Sequence, residues 1–329
     1  MKPIHDFFLG RFLPVAWRAR LAAACAGAQQ PAAPPPPQGE PVIRSETRQV
    51  FVPVNVSTVD GEPVTNLTRR DFHLFEDGQE QEVINCASEE VPLNVVFLMD
   101  ISGSTFMELG AIKKAVRTFV SELQPQDRVA IVTFNSEARL ILDWSNDLTR
   151  LDRALDRVVP KGNTVWYDAL YVTLTDLLPK VRGKKVILSV TDGWDTASLV
   201  DFHEVLDKVT AGDAQIYVVS KTAGIKDFAD YVRKEYGARI DETTVMKVMY
   251  AADSQLRKLA YETGGRVIVP KSSGALVTIY HGLVKELRQQ YYLSYTPYNV
   301  LKDGQYRKIS VQVDRAGVRT FCRPGYYAR

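Results

Sequence analysis

An apolar run that stops at a carboxylate and two hydroxyls constrains this chain most. The stretch is Val95-Val96-Phe97-Leu98-Met99-Asp100-Ile101-Ser102-Gly103-Ser104. Five consecutive apolar side chains leave no polar face. The run therefore reads as a strand buried on both sides, as in a parallel sheet covered by helices. In an open α/β sheet the carboxyl ends of the strands form the ligand-binding edge. This strand would deliver Asp100, Ser102 and Ser104 to that edge. Carboxylate and hydroxyl oxygens are hard donors, suited to Mg²⁺, Mn²⁺ or Ca²⁺ and not to Zn²⁺ or Cu²⁺. Gly103 lets the backbone turn so that both serines face one point.

The rest of the central chain has a rhythm that fits such a sheet. From Pro92 the pattern predicts strands at Leu93–Met99, Arg128–Phe134, Ala138–Asp143, Lys185–Thr191, Gln215–Val219 and Arg266–Val269. Between them it predicts helices at Leu109–Leu123, Leu148–Val158, Trp166–Lys180, Phe202–Thr210, Ser254–Thr263 and Leu276–Gln290. Alternation of this kind argues for an α/β fold with a doubly wound, mostly parallel sheet. Leu140-Ile141-Leu142 follows its predecessor too closely for a crossover, so an antiparallel edge strand is expected there. Thr222–Ala251 interrupts the rhythm as a charged insertion at the functional edge. It reads either as a functional excursion or as a solvated, partly helical one.

The flanks follow a different period. Residues 42–90 read as short strands and turns: Gln49–Ser57, Val64–Leu67, Phe72–Glu76 and Gln81–Ile84, with turn signals at Asp60-Gly61 and Asp77-Gly78. After the central region (91–290), residues 291–329 return to strands, beginning with the aromatic Tyr291-Tyr292-Leu293-Ser294-Tyr295. That cluster reads as packing, with a ligand platform as the alternative. Neither flank has enough strands to bury a core alone. They are expected to pair into one small β-sandwich-like domain, with the central domain inserted between them. Cys86 and Cys322 fall late in their segments, and two readings stand: a disulfide closing the insertion, or two ordinary buried thiols.

Residues 1–41 do not read as folded. Arg11–Ala28 has the flavour of an export signal, with a small-residue run suited to cleavage near Ala28, or to a lipid anchor at Cys25. Arg18 and Arg20 interrupt it, so a cytoplasmic extension is the alternative, and the run is too short to span a membrane. Pro31–Pro37 is an extended linker. The expectation is an exported protein: periplasmic, outer-membrane-associated or extracellular. The net charge of +2 gives no nucleic-acid footprint. The four histidines form no HExxH pair, and a zinc site is not expected.

The Asp-x-Ser-Gly-Ser stretch, the distant Gly162-Asn163-Thr164 and a second apolar strand ending in Thr191-Asp192-Gly193 together resemble the metal-ion-dependent adhesion site (MIDAS) of von Willebrand factor A domains. The alternative is that Ser102 and Ser104 cap a helix and Asp192 lies in an ordinary turn. Val64–Phe72, Phe75–Gly78, Gln290–Pro297 and Arg323–Tyr327 extend the likeness to the VWFA-related proteins described from acidobacteria. The resemblance implies that Asp100, Ser102 and Ser104 hold a divalent ion, Mg²⁺ or else Mn²⁺ or Ca²⁺. Thr164 would bind it directly or through water, and Asp192 mostly through water. It further implies a protein ligand that offers an acidic side chain to the ion. Asp168 and Asp195 are further possibilities near the ion, each with a structural alternative: a first-turn helix residue and a cap. An enzyme is the competing class. A haloacid-dehalogenase-type phosphatase needs a second aspartate where Ser102 stands, and no GxSxG, P-loop or GxGxxG occurs. A structural assembly subunit working through its β part, with the ion only stabilising, is the other alternative.

Overall fold

The structure is a computed structural model that describes residues 49–60, 62–87, 91–105, 108–220 and 242–328, with residues 104, 242 and 245 described through their backbone only. The export-signal, lipid-anchor and linker expectations therefore fall outside the described residues, as does most of the 222–251 insertion. Among the described residues no helix is long and apolar enough to cross a membrane.

In chain order the strands are β1 (Val50–Thr58), β2 (Phe72–Glu76), β3 (Gln79–Gln81), β4 (Val83–Ala87), β5 (Leu93–Asp100), β6 (Arg128–Phe134) and β7 (Ala138–Ser145). They continue with β8 (Lys184–Thr191), β9 (Gln215–Ser220), β10 (Val267–Ile268), β11 (Tyr291–Tyr295), β12 (Tyr306–Val313), β13 (Val318–Cys322) and β14 (Gly325–Tyr327). The helices are α1 (Leu109–Ser121), α2 (Leu148–Asp156), α3 (Trp166–Val172), α4 (Phe202–Ala211), α5 (Glu242–Glu262) and α6 (Leu276–Gln289).

The central sheet runs β10-β9-β8-β5-β6-β7. All its pairings are parallel except β6–β7, the antiparallel edge expected from the short connection. Every residue of β5 is buried. Because strand side chains alternate, β5 feeds two cores. Val95, Phe97 and Met99 pack with α1, α2 and α6, and Val96 and Leu98 pack with α3, α4 and α5. This is a doubly wound α/β fold. Local signals set the helix starts: Asp147 caps α2, and Asp201 with Glu204 forms a capping box on α4.

Three element expectations are corrected. The helix expected over Trp166–Lys180 is α-helical only to Val172. A π turn (Thr173–Leu177) and a 3₁₀ turn (Leu178–Lys180) follow. Pro179 has no amide to continue the α ladder, and Thr175 bonds back to the Tyr171 carbonyl at 2.9 Å. The helix expected from Ser254 begins at Glu242, so the end of the charged insertion belongs to α5. Val64–Leu67 is not a strand. Asn66 adopts a left-handed φ of 70°, and the Tyr291 hydroxyl pins the segment by accepting from Leu67 N–H (2.9 Å) and donating to the Val64 carbonyl (3.0 Å).

The flanking segments interleave in two four-stranded sheets, β13-β1-β11-β4 and β14-β12-β2-β3. Val52, Val54, Leu293 and Tyr295 of the first face Leu74, Ile309 and Val311 of the second in one core, so the small domain is β-sandwich-like. The β2–β3 hairpin turns at Asp77-Gly78 with both φ angles positive, the geometry of the commonest two-residue hairpin turn. The aromatic cluster serves packing: Tyr292 stacks on Phe51, and Tyr291 and Tyr295 lie in the core.

The disulfide reading fails. Cys86 and Cys322 are free. Cys86 lies on β4 opposite Leu293, and Cys322 lies on β13 opposite Val54, so β11 and β1 stand between them. Three inter-strand steps of about 4.8 Å put the two far beyond the roughly 7 Å that a disulfide can span.

The sandwich is bolted to the central domain by Arg323, which is 5% exposed. Its guanidinium donates to the carbonyls of Thr210 (2.9 Å) and Gly212 (2.8 Å) at the C-terminal end of α4, and to Gly325 (2.8 Å) in its own segment. On the other side Asn55 of β1 donates to Glu286 of α6 at 3.3 Å.

Candidate functional site

β5 and β8 are parallel neighbours in register, Met99 opposite Val190. Their C-terminal ends therefore project Asp100 and, one residue past the end of β8, Asp192 from adjacent central strands. Asp100 is 1% exposed, Ser102 5% and Thr164 7%, so these polar groups lie below the surface.

Three loops are laced together at this edge. In the first, Asp100 Oδ1 accepts from Ser102 N–H at 2.8 Å, and a 3₁₀ turn over Gly103–Thr105 follows. The backbone of Ser104 lies in this turn, and its side chain is outside the described residues. In the second loop, Lys161 N–H donates to the Ile101 carbonyl at 2.8 Å, tying the Thr164 loop to the Asp100 loop. Ser136 Oγ accepts from Asn163 N–H at 3.2 Å. In the third loop, Asp192 Oδ1 accepts from Trp194 N–H at 3.0 Å, and Thr191 Oγ1 lies 3.4 Å from Asp100 Oδ2. Thr196 and Ala197 amides donate to the Thr164 carbonyl at 2.9 and 3.2 Å, closing the ring. The parts of the motif from β5, from the loop before α3 and from β8 thus occupy one place.

Asp168 and Asp195 direct their carboxylates to backbone amides of this frame. Asp195 Oδ2 accepts from Tyr167 N–H in the first turn of α3 (2.9 Å) and from Ser198 Oγ (2.6 Å). Asp168 Oδ1 accepts from the amides of Leu199 and Val200 at 2.9 and 3.0 Å. Asp195 is a helix cap supplied from another loop, and Asp168 holds the far end of that loop. Both orient the segment that carries Asp192.

Gly193 makes the same turn possible. Its φ is +77°, and a Cβ there would lie 2.6 Å from Leu256 Cγ in the α5 core. Thr191, Ser136, Thr196 and Ser198 were not singled out from the sequence. For Thr191, Thr196 and Ser198 the signal is the density of Asp, Ser and Thr in Thr191–Ser198, which favours side chains bonding to nearby backbone.

The donor set is all oxygen. Among the described residues no three His, Cys, Asp or Glu side chains gather as a metal-binding group. Two carboxylates supplemented by hydroxyls fit a hard divalent cation and not a thiolate- or imidazole-seeking one.

A doubly wound sheet with this edge is the architecture of an A domain, and the comparison agrees: residues 95–194 match the family model described as von Willebrand factor type A domain. Residues 95–194 of this chain are thus a von Willebrand factor type A domain. Among curated proteins the chain is similar to the uncharacterized protein YfbK of Escherichia coli K12, 35% identical over 82 residues. That match covers 23% of this chain and spans only 14% of that relative's length. Among solved structures it is similar to a von Willebrand factor type A protein from Catenulispora acidiphila, with 13% identity and TM-score 0.47, covering 87% of this chain and 64% of that one. It is also similar to proximal thread matrix protein 1 from the mussel byssus, solved with a zinc-occupied MIDAS motif. There the identity is 16% and the TM-score 0.46, over 64% of this chain and 49% of that one.

Proposed function

We propose that this chain is a binding module and not an enzyme. Its A domain would hold a divalent cation through Asp100, Ser102, Ser104, Thr164 and Asp192 and use it to capture an acidic side chain of a protein ligand. The observation that supports the reading is the ring of loops. Hydrogen bonds join the Asp100, Thr164 and Asp192 loops pairwise, so oxygen donors from distant parts of the chain converge on one edge. A divalent ion there would supply a Lewis-acidic point to which a carboxylate oxygen binds.

The protein's part is positioning. Asp100 and Asp192 offset the ion's two charges, and Ser102 and Thr164 offer neutral oxygens that leave it attractive to an anion. Asp168 holds the Asp192 loop by its amides, and Asp195, itself in that loop, anchors it to the Tyr167 amide of α3, so the donors are arranged before a ligand arrives. Export to the envelope or beyond belongs to the same reading, supported by the small-residue run before Ala28 and the proline-rich segment that follows.

Isothermal titration of the purified chain with Mg²⁺ and Mn²⁺ tests the reading. One site is expected, abolished in Asp100→Ala, with Ser102→Ala weakened but normally folded. No heat above buffer at millimolar ion would overturn it. Fractionation of the native host tests export, which full-length protein found only in the cytosol would refute.

A further inference from the structure

Next to the candidate metal centre, the β6–β7 hairpin and the end of α2 enclose a cavity of about 280 Å³. Ile101, Ile141 and Val158 give it apolar walls, and Arg139, Arg157 and Lys161 line it with cations. Arg139 is ion-paired with Glu137, which also lines the cavity. Arg157 and Lys161 have no ion-pair partner among the described residues, so the cavity carries two uncompensated positive charges. Asn135, also in the lining, is 9% exposed and accepts from Glu137 N–H through Oδ1 at 3.3 Å.

The cavity and the candidate metal centre share their loops. Ile101, in the cavity wall, lies between Asp100 and Ser102. Lys161, which also lines it, is bonded through its amide to the Ile101 carbonyl at 2.8 Å and stands three residues before Thr164. A ligand reaching the centre therefore passes beside the cavity. Guanidinium and ammonium groups over apolar walls favour a carboxylate carried on an aliphatic stem, because the walls take the stem and lower the local dielectric around the ion pair.

We infer that this cavity is a second subsite of the same surface, one that receives a glutamate- or aspartate-type side chain adjacent to the acidic group held at the centre. The ligand class is then an acidic peptide segment with at least two nearby carboxylates. The inference rests on the proposed function for the identity of the first contact, while the cavity's own preference for a carboxylate stands on Arg157 and Lys161.

The test is a fluorescence-anisotropy titration of the full chain with fluorescein-labelled hexaglutamate, in Mg²⁺ and in EDTA, with calorimetric Mg²⁺ titrations run in parallel. The double variant Arg157→Glu/Lys161→Glu should bind the peptide about tenfold more weakly, or worse, equivalent to about 1.4 kcal/mol. Its calorimetric Mg²⁺ titration should still show one site. Lys302→Glu/Arg319→Glu, with the same change of charge on exposed β-sandwich positions, should bind as the wild type does. Unchanged peptide affinity in the cavity variant, an equal loss in the sandwich variant, or no peptide binding by the wild type would each overturn the subsite. Peptide binding that is lost on charge reversal, alongside a flat Mg²⁺ titration, would support the subsite and overturn only the metal reading.

Discussion

The hydroxyl of Tyr295 donates to the Glu76 carboxylate at 2.6 Å, joining the two sheets of the β-sandwich through their common core. Tyr326 donates to the same oxygen at 2.8 Å, and Glu76 is 3% exposed. A carboxylate this deep is tolerated because two phenols solvate it. Burial, and then the Glu76 bond, push the Tyr295 hydroxyl well above an ordinary phenol. Tyr295→Phe should cost about 2 kcal/mol in urea denaturation, since a bond to a charged acceptor is lost from the interior. Glu76→Ala should cost more, because it orphans two hydroxyls. Neither change should alter a Mg²⁺ titration, and a parallel loss of Mg²⁺ binding would tie the sandwich to the site unexpectedly.

The Asp192 loop offers a separable test of positioning. Asp195→Ala removes the carboxylate that caps α3 and bonds Ser198. The expected cost is about 1 kcal/mol of stability. Mg²⁺ affinity should fall by about tenfold or more, as for partners that orient metal ligands. Thermal unfolding and calorimetry on the same sample separate the two effects. Wild-type Mg²⁺ affinity in this variant would show that the loop needs no such brace.

Gly193→Ala should be harsher for its size. The left-handed backbone at this position penalises any Cβ by about 1–2 kcal/mol, and contact with the buried Leu256 adds to it. A melting temperature within a degree or so of wild type would contradict the turn geometry.

His73 sits between Asp314 (2.9 Å) and Glu80 (2.6 Å) on the sandwich surface. Its hydrogen bonds to Asp314 first and Glu80 second raise its pKa from 6.5 to about 9. Because the folded value is the higher one, the stabilisation is complete below 6.5 and fades as pH rises through about 9. NMR titration of the imidazole should give a midpoint near 9 in the folded chain. In His73→Ala the stability difference between pH 6 and pH 10 should shrink. A midpoint near the unperturbed value would show the triad to be open in solution.

Cys86 and Cys322 are half-buried thiols, and burial is the main cause that pushes each up to about 11. They should react slowly with iodoacetamide in the folded state and quickly in urea. Mild oxidation of the folded chain should leave its mass without the loss of two hydrogens that an internal bridge between them would bring.

Local pattern carried most of the central domain. Burial of both faces of β5 is written in Val95–Met99, and the short hop to Leu140–Leu142 permits only an antiparallel return. The motif parts at Asp100, Thr164 and Asp192 were legible because each lies at an element boundary that the residues themselves announce. Interruption of the helix after Val172 was visible only as a proline near its expected end. Sequence did not show that the turn before it, Thr173–Leu177, would also leave α geometry.

What only the tertiary structure decided were partnerships between distant residues. Cys86 and Cys322 share a sheet, but its order places β1 and β11 between them. Asp168 and Asp195 spend their carboxylates on amides from 28 to 32 positions away in the chain, a choice made by how the third loop folds over α3. Arg139, Arg157 and Lys161 come from a strand, a helix end and a loop, and they surround one cavity only after those elements pack. Periodicity reports the environment of each residue within its own element. Which residues meet depends on strand order and loop closure, set by the global balance of burial against chain entropy.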